Sequence, residues 1–117
     1  MIPADVEVFV SLEPVNMHLG FDRLAGLVTE RMGRSARDRA LYVFVNRRRT
    51  LLKALFFDGS GFCVFYKRLD RGTFQLPTPM GDGAVPTVEM SEGELERMLD
   101  GMKPAVPLRG PDTPFVH

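Results

Sequence analysis

The sequence predicts an α+β domain in which an antiparallel meander sheet of about five strands packs against two amphipathic helices. Short runs of β-branched and aromatic residues alternate with polar turns in the middle of the chain. Apolar residues recur at helical spacing on both sides of that region. The 117 residues fit one domain of ordinary size. We expect this domain at residues 1–103 and an extended or disordered tail at 104–117.

The N-terminal part of the chain predicts one strand and one helix. Asp5–Leu12 alternates valines with other residues, which is typical of a strand, and an edge position in the sheet is open to it. Asn16 is a candidate N-cap for the helix, and Gly33 is a natural C-terminal stop. Between them apolar residues recur at helical spacing: Met17, Phe21, Leu24, Val28 and Met32.

The meander is predicted over four strands: Leu41–Val45, Thr50–Phe57, Phe62–Lys67 and Thr73–Leu76. Four-residue loops at the first two turns set a register in which Val45 opposes Thr50 and Phe57 opposes Phe62. One face of the sheet is then almost wholly apolar, and we expect both helices to cover it. Its residues are Leu41, Val43, Leu52, Ala54, Phe56, Cys63 and Phe65.

The second helix follows a loop predicted at 77–86. Ser91 and Glu94 form a capping box, and Met90 with Leu95 forms a hydrophobic staple across the same helix start. The outer side of this helix is acidic, and Pro104 follows its end.

Charge is distributed unevenly, although the formal net charge is zero. Residues 1–22 contain four acidic and no basic residues, 23–71 contain twelve basic against four acidic, and 72–117 contain three basic against seven acidic. This asymmetry indicates a basic surface backed by an acidic one. Folding that intermixes the segments is the alternative, and it would erase the segregation.

Composition also narrows the cellular setting. The single Cys63 cannot form an intramolecular disulfide, which fits a reducing cytoplasm, and its place in an apolar run predicts a core position. The first ten residues do not read as a signal peptide, and no apolar stretch is long enough for a membrane helix.

No catalytic set stands out. Two histidines, His18 and His117, and one cysteine are too few for a zinc site, and no phosphate-binding glycine motif is present. Asp58 and Asp70 are a weak candidate pair for a metal-dependent nuclease. We expect them instead to form turns at opposite ends of a strand. The sequence therefore predicts a protein that is not an enzyme and holds neither cofactor nor metal.

The basic residues of the meander are the best candidates for binding. The hairpin turn carries Arg47, Arg48 and Arg49, and a later turn at the same end of the sheet carries Arg68 and Arg71. Lys53 and Lys67 lie further along the strands, near Tyr42 and Tyr66. Such a group suits a nucleic-acid backbone, with aromatic rings available for base stacking. A protein partner and a plain charged surface are the alternatives.

Several segments of the chain resemble the accessory protein (TnpB, the second open reading frame) of insertion sequence 66-type bacterial transposons. They are GFDRL at 20–24, FVNRRRTLLKAL at 44–55, FFDG at 56–59 and KRLDRGTF at 67–74. His18 and Leu19 stand where family members usually have basic residues. Phe56 and Phe57 stand where they tend to have tryptophan.

The resemblance implies an accessory role in transposition, in which a separate DDE-type transposase carries out strand transfer. It implies two partners, the DNA of the element ends and the element's transposase, and no membrane. The leading interpretation is direct DNA contact through the arginine-rich end of the sheet. The alternative is an adaptor that binds the transposase through the acidic second helix. The oligomeric state stays open.

Overall fold

The computed structural model describes residues 6–76 and 87–102 and confirms the predicted fold class. Five strands and two helices follow in the order β1 (Val8–Ser11), α1 (Phe21–Met32), β2 (Leu41–Val45), β3 (Leu51–Phe57), β4 (Phe62–Arg68), β5 (Thr87–Met90) and α2 (Glu92–Leu99). The predicted loop at 77–86 and the predicted tail at 104–117 lie outside the described residues.

The sheet is mixed, with the strand order β4-β3-β2-β1-β5. β2, β3 and β4 form the predicted meander, but β1 runs parallel to β2 and antiparallel to β5. A parallel pair needs a crossover connection, which α1 supplies. β1 is therefore a central strand rather than an edge strand, and all four of its residues are buried.

The fifth strand is not the predicted segment Thr73–Leu76. That segment has no strand pairing, and β5 at Thr87–Met90 takes the place beside β1. Phe74 is nevertheless fully buried, and its backbone N–H donates to the carbonyl of Arg49 (2.6 Å). The alternation of the segment thus reflects the burial of one phenylalanine rather than a strand.

The two helices lie on opposite faces of the sheet, so the expectation of one shared face is wrong. α2 packs on the predicted apolar face: Val8, Val10, Val43, Leu52 and Ala54 are buried with Leu95, Met98 and Leu99. α1 covers the other face, where Phe9, Tyr42, Phe44 and Leu55 are buried with Leu24 and Val28. The second face contains too many large apolar side chains to stay in water, and burying them stabilises the fold.

Two of the predicted helix-end signals are confirmed and one is wrong, while Pro104 lies outside the described residues. Gly33 ends α1 in the left-handed conformation (φ 65°), and the Ser91 Oγ accepts from the Glu94 N–H (3.2 Å) at the start of α2. The predicted cap Asn16 does not cap α1. Its Oδ1 accepts from the His18 N–H (2.8 Å) in a separate turn, and α1 begins after Gly20.

The register of β3 and β4 is as predicted, with Phe57 opposite Phe62. The register of β2 and β3 is shifted by two residues, so Val45 opposes Leu52 rather than Thr50. The reason is that the hairpin closes between the Asn46 N–H and the Leu51 carbonyl (3.1 Å), leaving Thr50 in the loop. A shift of two residues keeps every side chain on its predicted face.

Cys63 is exposed, and its predicted core position is wrong. It lies on β4, which is an edge strand of the sheet. Among the described residues, neither α1 nor α2 has the length and apolar character needed to span a bilayer.

A polar network around the buried Tyr42 anchors the α1 face. Tyr42 is fully buried, and its hydroxyl donates to the Asp38 carboxylate (2.7 Å to Oδ1) and accepts from the Arg34 Nε (3.1 Å). Arg34 also pairs with Asp38 (2.9 Å) and lies over the Phe9 ring. Burial and the hydrogen bond to Asp38 raise the pKa of Tyr42 above that of a free tyrosine.

Replacing Tyr42→Phe should lower the free energy of unfolding by about 1–3 kcal/mol, because Asp38 and Arg34 each lose a hydrogen-bonding partner. Tyr66→Phe is the matched control, since Tyr66 is 53% exposed and no hydrogen bond of its hydroxyl occurs in the described residues. Urea denaturation at neutral pH measures both. Equal effects of the two substitutions would show that the network adds no stability.

The raised pKa of Tyr42 also predicts a loss of stability in alkali. A folded pKa above the unfolded value means that the stabilisation is fully present below the unfolded tyrosine pKa of about 10 and is lost as the pH rises through the folded value. We expect the wild-type unfolding free energy to fall more steeply than that of Tyr42→Phe above about pH 10. Parallel curves from urea titrations between about pH 8 and pH 11 would contradict this.

Candidate nucleic-acid interface

Asn46 shapes the hairpin tip that presents three consecutive arginines. Its Oδ1 accepts from the Thr50 N–H (2.9 Å) and the Leu51 N–H (3.1 Å), and its Nδ2 donates to the Thr50 hydroxyl (3.2 Å). The Asn46 carbonyl accepts from the Arg49 N–H (3.0 Å). Side-chain bonds of this kind replace backbone pairing in a turn. This role of Asn46 was not predicted from the sequence, although an asparagine at the first position of a turn is a usable signal.

Arg49 has a left-handed backbone conformation, with φ at 59°. That region is unfavourable for a residue with a Cβ, by roughly 1 kcal/mol. The contacts around Arg49 keep it there, because its N–H bonds to Asn46 and its carbonyl accepts from Phe74. The tip therefore has a defined shape, and all three arginine side chains are exposed on it.

The second basic loop, which follows β4, is bonded directly to the first. Arg68 lies opposite Leu51 in the β3–β4 ladder. The next residue, Leu69, donates its N–H to the carbonyl of Thr50 (3.1 Å). Gly72 has a positive φ (74°), which turns the chain back so that Phe74 reaches Arg49. The two loops thus lie at the same end of the sheet, as the sequence predicted.

We name this region the arginine end and define it as Arg47, Arg48, Arg49, Arg68 and Arg71. All five residues are exposed. Within residues 6–76 and 87–102, none of their side chains takes part in an ion pair or a hydrogen bond. Asp70, also exposed, is an acidic residue in the same loops. Guanidinium groups without internal partners are available to an external anion.

The side chains of the two predicted lysines have internal partners among the described residues, unlike those of the arginine end. The Lys53 Nζ donates to the carbonyl of Leu19 (3.0 Å) and lies 4.9 Å from the centre of the Tyr66 ring. Lys67 is on the other face of the sheet, and its Nζ is 4.0 Å from Asp100 Oδ1. Each lysine would give up a contact in order to bind a ligand.

The two tyrosines considered for base stacking have different environments. Tyr42 is fully buried, so its ring is not accessible to a base. Tyr66 is 53% exposed and lies on the same face of β4 as Arg68. Lys53 covers part of its ring. Only Tyr66 of this pair can add an aromatic surface beside the arginine end.

The two candidate carboxylates are separated by the length of β4, since Asp58 precedes this strand and Asp70 follows it. Asp58 shapes its turn: its Oδ1 accepts from the Ser60 N–H and the Gly61 N–H, both at 2.9 Å. These bonds hold the pKa of Asp58 below its usual value. Among the described residues, no group of three histidine, cysteine, aspartate or glutamate side chains is arranged to hold a metal ion.

Comparisons with known proteins find similar sequences over most of the chain. A family model described as IS66 Orf2 like protein matches residues 6–108. "Uncharacterized protein y4hO" of Sinorhizobium fredii is 38% identical over 104 residues, which cover 87% of each chain. "Uncharacterized protein y4jC" of the same organism is 29% identical over 97 residues, which cover 83% of this chain and 80% of that protein. No solved structure matches.

The strain at Arg49 can be measured by substitution. Arg49→Gly should raise the free energy of unfolding by about 0.5–1 kcal/mol, because glycine adopts a positive φ without the Cβ penalty. Arg48→Gly is the control: it removes the same charge from the same tip, but Arg48 has no positive φ, so we expect a loss of about 0.5 kcal/mol. Urea denaturation distinguishes them. A loss at both positions would mean that Arg49 is not strained.

Proposed function

Because the chain belongs to the IS66 Orf2-like family, whose members are accessory proteins of IS66 transposition, we propose that it serves transposition by binding DNA directly through the arginine end. The observation that carries this proposal is the convergence of five exposed arginines that have no internal partner in the described residues. The DNA of the element ends is the proposed ligand.

The chemistry of the arginine end suits the phosphate backbone. Arginine donates paired hydrogen bonds to phosphate oxygens, and its charge persists at every physiological pH. A turn of defined shape holds Arg47–Arg49, so less conformational entropy is lost on binding than with a flexible basic tail. These contacts fix position on the DNA rather than read its sequence.

We propose a non-enzymatic role in the cytoplasm. The separate transposase would break and join the DNA strands, while this protein supplies positive charge at the element ends. The contacts of Asp58 support a non-enzymatic role, because both backbone hydrogen bonds to its Oδ1 stabilise the turn before β4. The exposed thiol of Cys63 supports the cytoplasmic location, since an unpaired surface cysteine persists best in a reducing compartment.

Salt-titrated binding to an element-end duplex tests the proposal. The affinity should fall steeply with salt, because each neutralised phosphate releases about 0.9 of a counterion. Replacing Arg47, Arg48 and Arg49 together with Gln should reduce the slope of log K against log salt by about 2–3. Fluorescence anisotropy with a labelled duplex gives both quantities, and a scrambled duplex shows how far binding depends on sequence.

A second triple variant controls for net charge. Arg23, Arg37 and Arg39 are also exposed arginines, and none of them belongs to the arginine end. Changing these three to Gln removes the same charge and should leave most of the salt slope in place. Equal slopes for the two triple variants would mean that DNA binding is diffuse. An unchanged slope in the Arg47–Arg49 variant would end the proposal.

A second candidate function is an adaptor for the transposase. The observation that favours it is the acidic outer side of α2, where Glu96 and Asp100 are exposed. Co-purification of the two proteins that survives nuclease treatment would support this role. Dependence of the complex on DNA would instead support the arginine end as the functional surface.

A further inference from the structure

β4 is an unprotected edge strand. It pairs with β3 along all seven of its residues without a bulge, and its other side has no neighbouring strand in the described residues. Proline is absent from it, and its first five residues, Phe62–Tyr66, carry no charge. Phe65 and Tyr66 are 37% and 53% exposed, and they lie on opposite faces of the strand. An edge of this kind pairs readily with another strand unless something covers it.

The ladder with β3 determines which backbone groups of β4 are free. In an antiparallel pair, bonded and non-bonded residue pairs alternate. Two bonds just outside the strand fix the alternation: the Asp58 N–H donates to the Gly61 carbonyl, and the Leu69 N–H donates to the Thr50 carbonyl. Odd-numbered residues of β4 therefore bond to β3. The free backbone groups belong to Phe62, Val64, Tyr66 and Arg68.

We propose that two copies of this chain pair antiparallel through β4, about a two-fold axis at Phe65. In this register Phe62 pairs with Arg68 of the partner subunit, and Val64 pairs with Tyr66 of the partner subunit. Every residue of β4 whose backbone groups point away from β3 then has a hydrogen-bonded partner in the other copy. No other two-fold register achieves this. The result is one continuous sheet across the two copies. This inference is independent of DNA binding.

The side chains suit the same register. The two Phe65 rings face each other on the α2 side as a non-bonded pair, where side chains lie closest. Lys67 faces Cys63 of the partner subunit. Within each copy the Cys63 Sγ is 3.7 Å from Asp58 Oδ2, so Lys67 approaches the carboxylate of Asp58 of the partner subunit. The basic residues at the ends of the two strands lie apart, which avoids like-charge repulsion.

The self-complementarity of β4 is the reason to assign a second copy as the occupant. A two-fold interface must bring each residue against its symmetry mate or its reciprocal pair. β4 satisfies this with apolar residues at the centre and with Lys67 near Asp58 of the partner subunit toward each end. One strand pairing buries less surface than a standard interface, so we expect a dissociation constant in the micromolar range, on the order of 10 μM.

Disulfide trapping tests the register. In a Cys63→Ser background, Phe65→Cys should yield a covalent dimer on mild oxidation, because the paired Cα atoms are about 4.5–5.5 Å apart. The native Cys63 is the matched control. Its counterpart lies roughly 13 Å away along the paired strands, beyond disulfide reach, so no covalent dimer should form. Trapping through Cys63, or through neither position, overturns the proposed register.

Sedimentation equilibrium of the protein without crosslinks tests the pairing itself. Val64→Pro removes an outward-facing N–H and leaves the ladder to β3 complete, and it should weaken dimerisation at least tenfold. Val64→Thr keeps the N–H and the branched side chain and should leave dimerisation unchanged. Circular dichroism verifies the fold of both variants. The proposal is refuted if the wild-type protein is monomeric at about 1 mM, or if Val64→Pro leaves the dimer unchanged. It is also refuted if the only strand that pairs with β4 comes from a different protein.

Discussion

The backbone hydrogen bonds between the two loops of the arginine end are the contacts on which the functional surface depends. Leu69 and Phe74 donate to the carbonyls of Thr50 and Arg49, and these bonds bring together arginines that are 19 to 24 residues apart in the chain. The positive charges of these arginines repel one another, so other interactions must stabilise their close arrangement. Burial of Phe74 supplies part of it, because this side chain is fully enclosed at the face that α2 covers.

The same bonds explain why the arginines remain available for a ligand. Acidic residues elsewhere in the chain pair with other arginines: Asp38 and Glu7 with Arg34, and Glu13 weakly with Arg31. Those pairs satisfy charges near α1. At the arginine end the backbone, not an ion pair, fixes the loops, so the guanidinium groups keep their charge exposed to solvent.

The predictability of the fold follows from where the decisive interactions lie. The register of β3 and β4 depends on the local turn at Asp58–Gly61, and the sequence predicted it correctly. The crossover of α1 to its own face and the pairing of β1 with β5 depend on long-range packing, which periodicity does not record. β5 in particular is only four residues long and leads almost directly into α2, and the sequence prediction used only its last residue, Met90, at the start of that helix.

The candidate site shows the same division. The location of both arginine loops at one end of the sheet could be predicted because every second turn of an antiparallel meander lies at the same end. The internal contacts of Lys53 and Lys67 depend on Leu19 and Asp100, which come from distant segments, so no local pattern indicated them. Cys63 was misplaced because its apolar neighbours suggested a core strand, whereas β4 is an edge.

The central position of β1 has a consequence for folding. Its two neighbours in the sheet come from residues 41–43 and 87–90, so the pairing of β1 is complete only after all the other described strands have been synthesised. Contacts of such high sequence separation slow the search for the native topology. During that delay the edges of a nascent β1 stay unpaired, and we expect the growing polypeptide to be most prone to aggregation at this stage.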